Sequence, residues 1–466
     1  MSYSNAQYSL YRRLPPWLQN LLVTHAGSKR WKHENAEEFQ KKVSSLLAIQ
    51  SYDTRRIKEY QREKLTSVLL AAKSTEFYSK ILPARSQIAA DPFSTLLTLP
   101  VLCKDDVRSN FKRFINPSFG GKLIQHGTSG TTGTPLQTIW TQECIDMERA
   151  LIWRQRKQTG LEFGKEWRGM LGGHQIVPLE QKKPPYWRVN KHAKQVYFST
   201  YHLTPETAPG YREAMDSFNI KAIEGYPSVL YAMAYSFKKS GLDFPLKGIY
   251  YGAEPLQDFQ RELISEVFQC YVWDYYGLTE RVASASEFEC RNGLHESWEN
   301  CILEIVDRSG NVVPGGEYGE LVGTSLSNIG FPLLRYRTGD MTRFLPGECT
   351  CGRSSRRIAR IDTKREDLLL MPDGSLLSAS NLTFPFKGVD NILESQLFQD
   401  SAEVVQVRII PSTEYADSDG EKLVAGLKDM VPESVQIDLI KVKEIPRTKS
   451  GKFRFCISTL TGSREQ

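Results

Sequence analysis

No apolar run in the 466-residue chain approaches the ~20 residues that a bilayer-crossing helix needs, so no stable membrane insertion is expected. The opening Met1-Ser2-Tyr3-Ser4-Asn5 has neither the basic region nor the apolar core of a secretory signal. Cysteine is scarce: eight residues, scattered over this length, make no disulfide framework. These absences lead us to expect a reducing, cytoplasmic setting. Charge of one sign is lacking too, since 60 basic against 54 acidic residues leave only +6, and the basic residues are dispersed. That is not the footprint of a nucleic-acid binder, but it suits an anionic small molecule. No internal repeat or long low-complexity linker interrupts the sequence. With 40% hydrophobic and 24% charged residues the composition is ordinary for a globular protein of two or three domains. It is compatible with a monomer or a homodimer.

One stretch stands out, His126-Gly127-Thr128-Ser129-Gly130-Thr131-Thr132-Gly133-Thr134-Pro135, with three glycines and five hydroxyl side chains in ten positions. Glycine permits positive φ and close approach, so consecutive N–H groups can converge on an anion. The hydroxyls add donors for phosphate oxygens. The stretch matches neither the G-x-x-x-x-G-K-[ST] spacing of a P-loop nor the G-x-G-x-x-G dinucleotide fingerprint. A polar hairpin loop is the alternative reading.

Residues 1–90 read as helical, with apolar residues at spacings of three and four, such as Phe39, Val43, Leu46 and Leu47, or Ile57, Tyr60, Leu65 and Leu69. Leu18, Leu21, Leu22 and Val23 form an earlier apolar cluster. Residues 91–362 alternate short β-branched or aromatic runs with helical stretches: 220–224, then 227–242, 248–251, 257–268 and 270–273. That alternation predicts an α/β domain with a mostly parallel sheet, and ligands of such sheets sit at the carboxyl ends of strands. A β subdomain of short hairpins is expected over 300–345, and residues 363–466 read as a small α+β domain.

Two strand ends carry unusual residues. Tyr251-Gly252-Ala253-Glu254 closes one, and Tyr276-Gly277-Leu278-Thr279-Glu280 closes the next. A tyrosine before glycine offers a ring to stack on a base. Thr279 and Glu280 supply hard oxygen ligands for Mg²⁺ on phosphates, with helix capping as the alternative. Asp340, in Tyr336-Arg337-Thr338-Gly339-Asp340, can accept hydrogen bonds from a ribose diol or close an Asx turn. Lys452, in Pro446-Arg447-Thr448-Lys449-Ser450-Gly451-Lys452, is either a solvated lysine or one brought to a site by domain movement.

In this order, the four stretches 128–135, 276–280, 336–340 and 446–452 resemble the adenylate-forming superfamily of acyl-CoA synthetases and adenylation domains. The branch resembled is phenylacetate–CoA ligase-like and, within it, CapK-like, supported by Glu224-Gly225-Tyr226-Pro227-Ser228 and Gly451-Lys452-Phe453-Arg454-Phe455. The resemblance implies a large adenylate-forming domain and a small C-terminal domain on a hinge. It implies an AMP-forming ligase that activates a carboxylic acid with ATP and Mg²⁺ and passes the acyl group to CoA. An amine acceptor (amide formation on a sugar uronate or an amino acid) and a non-catalytic nucleotide-binding homologue are the alternatives.

By the same resemblance Thr128, Ser129, Gly130, Thr131, Thr132 and Gly133 bind the ATP phosphates, and Gly252, Ala253, Glu254, Tyr276 and Gly277 form the adenine pocket. Thr279 and Glu280 serve the metal and phosphates, Asp340 the ribose, and Lys452 the reacting carboxylate and α-phosphate. His174, Tyr226 and Pro227 are candidates for the acid pocket. Three departures accompany it. Leu136 stands where many relatives have lysine, a difference common in the branch, Lys364 falls at the hinge arginine, and Glu366 at the hinge aspartate. Arg353 and Arg357 are near enough in sequence to compensate.

A further set lies outside these stretches. Cys290-x4-His295 and Cys349-x-Cys351 flank one β excursion and offer three thiolates and an imidazole, a donor set for tetrahedral structural Zn²⁺. Three ordinary thiols and a surface histidine are the alternative.

Overall fold

β-branched and aromatic side chains fit a pleated, half-buried surface, and the runs that carry them form the middle of the principal sheet. The computed structural model describes residues 10–127, 136–172, 176–178, 180–361, 363–364, 368–372, 376–378, 382, 385–386, 389, 391–447 and 453–460. The chain opens with α1 (Pro16–Glu34), α2 (Glu37–Ile49) and α3 (Thr54–Lys73), then the short α4 (Arg85–Ala90), α5 (Pro92–Leu97) and α6 (Lys104–Ser109). A hairpin of β1 (Ile124–Gly127) and β2 (Gln137–Trp140) brackets the glycine- and threonine-rich stretch and leads into α7 (Gln142–Gln158).

The principal sheet contains β3 (Trp167–Leu171), β4 (Trp187–Asn190), β5 (Gln195–Phe198), β6 (Ile220–Gly225), β7 (Gly248–Tyr251), β8 (Val272–Gly277), β9 (Ser284–Ser286) and β10 (Leu294–Glu296). Its middle, β5-β3-β6-β7-β8, is parallel, while β4, β9 and β10 add antiparallel edges. Crossovers pass through α8 (Ala208–Ser217), α9 (Pro227–Lys239) and α10 (Asp258–Phe268). Period-two alternation gives each strand two buried faces. Ile249 and Tyr251 of β7 pack with α8, α9 and α10, whereas Tyr250 between them packs under α2 and α7.

The β subdomain is an antiparallel sheet of β11 (Cys301–Val306), β12 (Gly319–Ser325) and β13 (Tyr336–Thr342). β14 (Arg357–Ile358) returns to β10, and β15 (Thr363–Lys364) pairs with β13. The C-terminal region holds the hairpin β16 (Leu368–Leu370) and β17 (Leu376–Ser378), then β18 (Ile392–Ser401), β19 (Val404–Pro411), α11 (Asp417–Lys428), β20 (Gln436–Lys441) and β21 (Cys456–Ser458). Its sheet, ordered β20-β19-β18-β21, has its own core of Leu397, Val405, Val407, Ile409, Leu423 and Leu427. The expected α/β class with a parallel-rich sheet and a C-terminal domain is the observed one.

Two expectations shift. β8 begins at Val272 rather than Cys270, because Gln269 caps α10 in the left-handed region at φ 48° and the chain needs two more residues to extend. In the apolar cluster near the start only Val23 is buried, against Tyr11, Ile176 and Val177; Leu21 and Leu22 face solvent, since α1 rests on β4 through Gln19, Asn20 and Thr24. Among the described residues no helix is long and apolar enough to cross a membrane.

Candidate active site

The carboxyl ends of β6, β7 and β8 open on one cavity of about 750 Å³. Backbone shape makes it. A Cβ on Gly252 would lie 2.6 Å from the carbonyl oxygen of Tyr275, so only glycine lets the β7 exit pass β8 this closely. The next residue, Ala253, takes φ 70°, a strained conformation for a residue with a side chain. Gly252, Ala253 and Glu254 form one wall of the cavity; Tyr276, Gly277, Thr279 and Glu280 form another. Tyr226 lines it as well, while Pro227 starts α9 behind it.

Asp340 on β13 is brought to the same cavity, where its Oδ2 accepts the Tyr276 hydroxyl at 2.6 Å. Burial, then the Asp340 charge, hold the Tyr276 phenol far above its ordinary pKa, so it remains a donor. Glu280 is buried, and its Oε1 accepts the Tyr336 hydroxyl at 2.9 Å. No lysine or arginine pairs with Glu280 among the described residues, although a buried carboxylate needs compensation. With Thr279 beside it, this donor set fits a hard divalent cation. The Thr279 carbonyl accepts the indole N–H of Trp140 at 2.8 Å, which fixes the β2 end of the hairpin against the strand end after β8.

Glu254 closes the cavity towards the C-terminal region. Its carboxylate accepts the Phe453 N–H at 2.8 Å and the Ser228 N–H at 3.2 Å. Burial raises its pKa, and those two N–H groups oppose the rise. Thr128, Ser129, Gly130, Thr131, Thr132, Gly133, His174, Glu366 and Lys452 lie outside the described residues. So does the side chain of Lys364, whose backbone pairs opposite Asp340. Arg353 and Arg357 do not line the cavity. Arg353 pairs with Glu289 at 3.2 Å, and Arg357 donates to the carbonyls of Asn292, Pro346 and Gly347.

Other functional groups escaped the sequence reading. Glu224, at the end of β6, is half-buried between the buried Arg156 and Arg168, and Arg156 Nη2 reaches it at 2.6 Å. Burial pushes the Glu224 carboxyl up, but the two guanidinium groups outweigh it and bring its pKa to about 2. Arg281, left-handed at φ 60°, pairs with Glu148 and covers the Trp140 ring at 4.3 Å. A signal existed for the first group. Arg154, Gln155 and Arg156 are consecutive on α7, and three neighbours cannot all face solvent on a helix packed under a sheet.

The cysteine and histidine set converges away from the cavity. The ligand atoms of Cys290, His295, Cys349 and Cys351 lie within 4.8 Å of one another. His295 Nε2 is 3.3 Å from the Cys290 sulfur and 3.6 Å from the Cys351 sulfur. Tetrahedral zinc requires S···N separations of about 3.6 Å, so the donors fit. Ser355 Oγ contacts the other ring nitrogen at 2.8 Å and orients the imidazole. Burial, helped by Arg353, Arg357 and Arg154, lowers the His295 pKa to about 3, leaving a neutral ring able to ligate.

Comparison with known proteins follows the same lines. Residues 369–459 match the family described as the CapK C-terminal domain. The chain is 27% identical over 461 residues to protein CapK of Staphylococcus aureus, covering 97% of this chain and 99% of that protein. It is 27% identical over 381 residues to the phenylacetate-coenzyme A ligase of Pseudomonas putida, covering 74% of this chain and 80% of that one. A solved structure of 2-hydroxyisobutyryl-CoA ligase, in the postadenylation state with 2-HIB-AMP, superposes with a TM-score of 0.66 at 18% identity, covering 87% of this chain and 90% of that one. The fold is that of the adenylate-forming ligases, and the resemblance to their phenylacetate–CoA ligase-like, CapK-like branch holds.

Proposed function

Taking the chain as a CapK-like protein with an adenylate-forming fold, we propose that it activates a carboxylic acid with ATP as an acyl-adenylate, releases pyrophosphate, and transfers the acyl group. The observation that carries this reading is the meeting of Glu254, Tyr276, Glu280 and Asp340 in one cavity from three separate stretches of sequence. In this reading the adenine lies against the Tyr276 ring, beside Gly252, Ala253 and Gly277, and Asp340 receives the ribose hydroxyls. Tyr276 keeps the Asp340 carboxylate oriented, and Tyr336 does the same for Glu280. Glu280 and Thr279 would hold Mg²⁺, which when bound neutralises charge on the phosphate oxygens.

The reaction is an in-line displacement, so positioning and charge stabilisation supply the rate rather than a protein nucleophile. Lys452 meets the charge that grows at the α-phosphate. The Phe453 N–H bond to Glu254 supports this, because it ties the residue after Lys452 to the cavity wall. Thr128, Ser129, Gly130, Thr131, Thr132 and Gly133 cradle the phosphates, Lys364 stands in for the hinge arginine, and residues 363–466 form the unit that turns between half-reactions. His174, Tyr226 and Pro227 contribute to the acid pocket. The acceptor is CoA; an amine is the second reading, supported by a similarity to CapK that spans nearly all of both chains. Cys290, His295, Cys349 and Cys351 would hold a structural Zn²⁺, whose closed shell leaves no position for reacting water.

Carboxylate-dependent exchange of labelled pyrophosphate into ATP, run over a panel of acids, tests the reading. Exchange with any acid is expected. A folded protein that binds ATP but exchanges with none would instead be a nucleotide-binding homologue. Product mass after addition of CoA or of amines then identifies the acceptor.

A further inference from the structure

Among the described residues five cationic side chains line the cavity: Arg30, Lys104, Arg108, Arg156 and Arg281. Four already serve a carboxylate. Arg30 pairs with Glu34 at 2.7 Å, Arg156 with Glu224 at 2.6 Å, Arg281 with Glu148, and Arg108 with Asp105. Lys104 is half-buried and has no carboxylate partner among the described residues. Its place is fixed through the backbone. The Leu102 N–H donates to the Arg335 carbonyl at 2.8 Å, and the Arg337 N–H donates to the Leu102 carbonyl at 2.8 Å. The segment entering α6 is thereby bound to the strand that carries Tyr336 and Asp340, beside Glu280. Leu136, where the resemblance implies lysine in many relatives, is 2% exposed, lines the same cavity and brings no charge.

We propose that Lys104 is a phosphate-binding residue, which holds the outer phosphates of ATP and leaves them only when pyrophosphate departs. The proposal rests on the adenylation reading above. In that step an oxygen of the substrate carboxylate bonds to the α-phosphorus. The bond from that phosphorus to the bridging oxygen breaks, and pyrophosphate leaves with the electron pair. Negative charge gathers on the leaving group, and an unpaired ammonium at the rim of the cavity meets it without first giving up another partner. Lysine suits a tumbling polyphosphate because its ammonium is a compact charge on a flexible stem. The cation missing at position 136 is supplied from the preceding segment instead.

The experiment compares wild type with Lys104→Met, Lys104→Arg and, as a control on the surface turn just after α6, Lys112→Met. ATP, AMP and pyrophosphate are the probes, by calorimetric titration in Mg²⁺ and by exchange kinetics. Lys104→Met is expected to weaken ATP on the order of tenfold and to raise the KM for pyrophosphate similarly, while AMP binds unchanged. Lys104→Arg should recover most of the loss, Lys112→Met should lose nothing, and melting temperatures should agree. The proposal fails if Lys104→Met binds ATP as wild type does, or if ATP and AMP weaken together. A folded wild type that binds neither nucleotide overturns the adenylation reading as well, an outcome distinct from wild-type ATP binding that Lys104→Met preserves.

Discussion

Tyr276 and Asp340, 64 positions apart, are joined by a 2.6 Å hydrogen bond in which the phenol donates to a carboxylate that is 2% exposed. The bond ties the end of β8 to β13 and orients both groups assigned to the nucleoside. Tyr276→Phe keeps the ring and removes the donor. It should cost about 1–3 kcal/mol of stability, because a buried carboxylate loses a partner. The KM for ATP should rise several-fold while the KM for the acid stays put. An unchanged KM for ATP would separate Asp340 from the nucleoside.

Glu280→Gln preserves shape and the Tyr336 contact but removes the charge. Exchange should then require more Mg²⁺, with the half-saturating concentration rising by roughly an order of magnitude. A Mg²⁺ titration of the exchange rate checks this, and an unshifted curve would leave Glu280 as a structural cap.

Lys452→Ala should slow adenylate formation by ~10²–10³-fold, the scale of losing one preorganised charge contact in a transition state. Acyl transfer from a chemically supplied adenylate should change far less. Single-turnover assays of the two half-reactions make the comparison, and equal losses would remove Lys452 from adenylation.

The Cys290, His295, Cys349 and Cys351 cluster should carry about one zinc per chain. Cys351→Ser should lower metal content, measured by atomic emission, together with melting temperature. Activity should fall only to the extent that the region before β15 loosens. Purified protein without metal, and indifferent to chelators, would return these residues to ordinary thiols.

Glu224 gives a pH prediction. Its folded pKa, about 2, lies below the ordinary glutamate value, so the stabilisation is complete above that ordinary value. It is lost as pH falls through the range down to about 2. Glu224→Gln should destabilise the protein by about 3–5 kcal/mol near neutrality, because two buried guanidinium groups lose their shared partner. The gap between wild type and variant should narrow as pH falls from the ordinary carboxyl range towards 2. Denaturant melts across that range read it, and a gap that is constant with pH would place the Glu224 charge outside the folding balance.

The parts of the fold that sequence reveals are those where burial is symmetrical. β6 and β7 read as short apolar runs because helices cover both their faces. β3 does not, since Trp167-Arg168-Gly169-Met170-Leu171 contains an arginine held by Glu224 and a glycine pressed on by Ile223 and Phe198. β18 hides for a related reason: Gln396 and Gln399 are buried in it, bonded to the Arg454 and Leu370 carbonyls, and they break the apolar alternation. At the site, Gly277, Thr279 and Glu280 were legible because they stand side by side in one short stretch, and Asp340 because it follows Gly339 in another. The Tyr276–Asp340 and Tyr336–Glu280 bonds were not, since each joins two stretches that only the folded sheet brings together. Lys104 had no local signature at all; its meaning comes from which neighbours are already paired.

The bond from the Phe453 N–H to Glu254 spans 199 positions. On a ribosome, β7 and its exit loop are complete long before residue 453 is made. Through that interval Glu254 has the Ser228 N–H and water as its partners. A nascent or truncated chain can therefore finish the parallel sheet and its two helical covers before Glu254 gains its second N–H donor. The contact between the C-terminal region and the β7 exit is thus the last of these to form, laid onto a sheet and helices that are already in place.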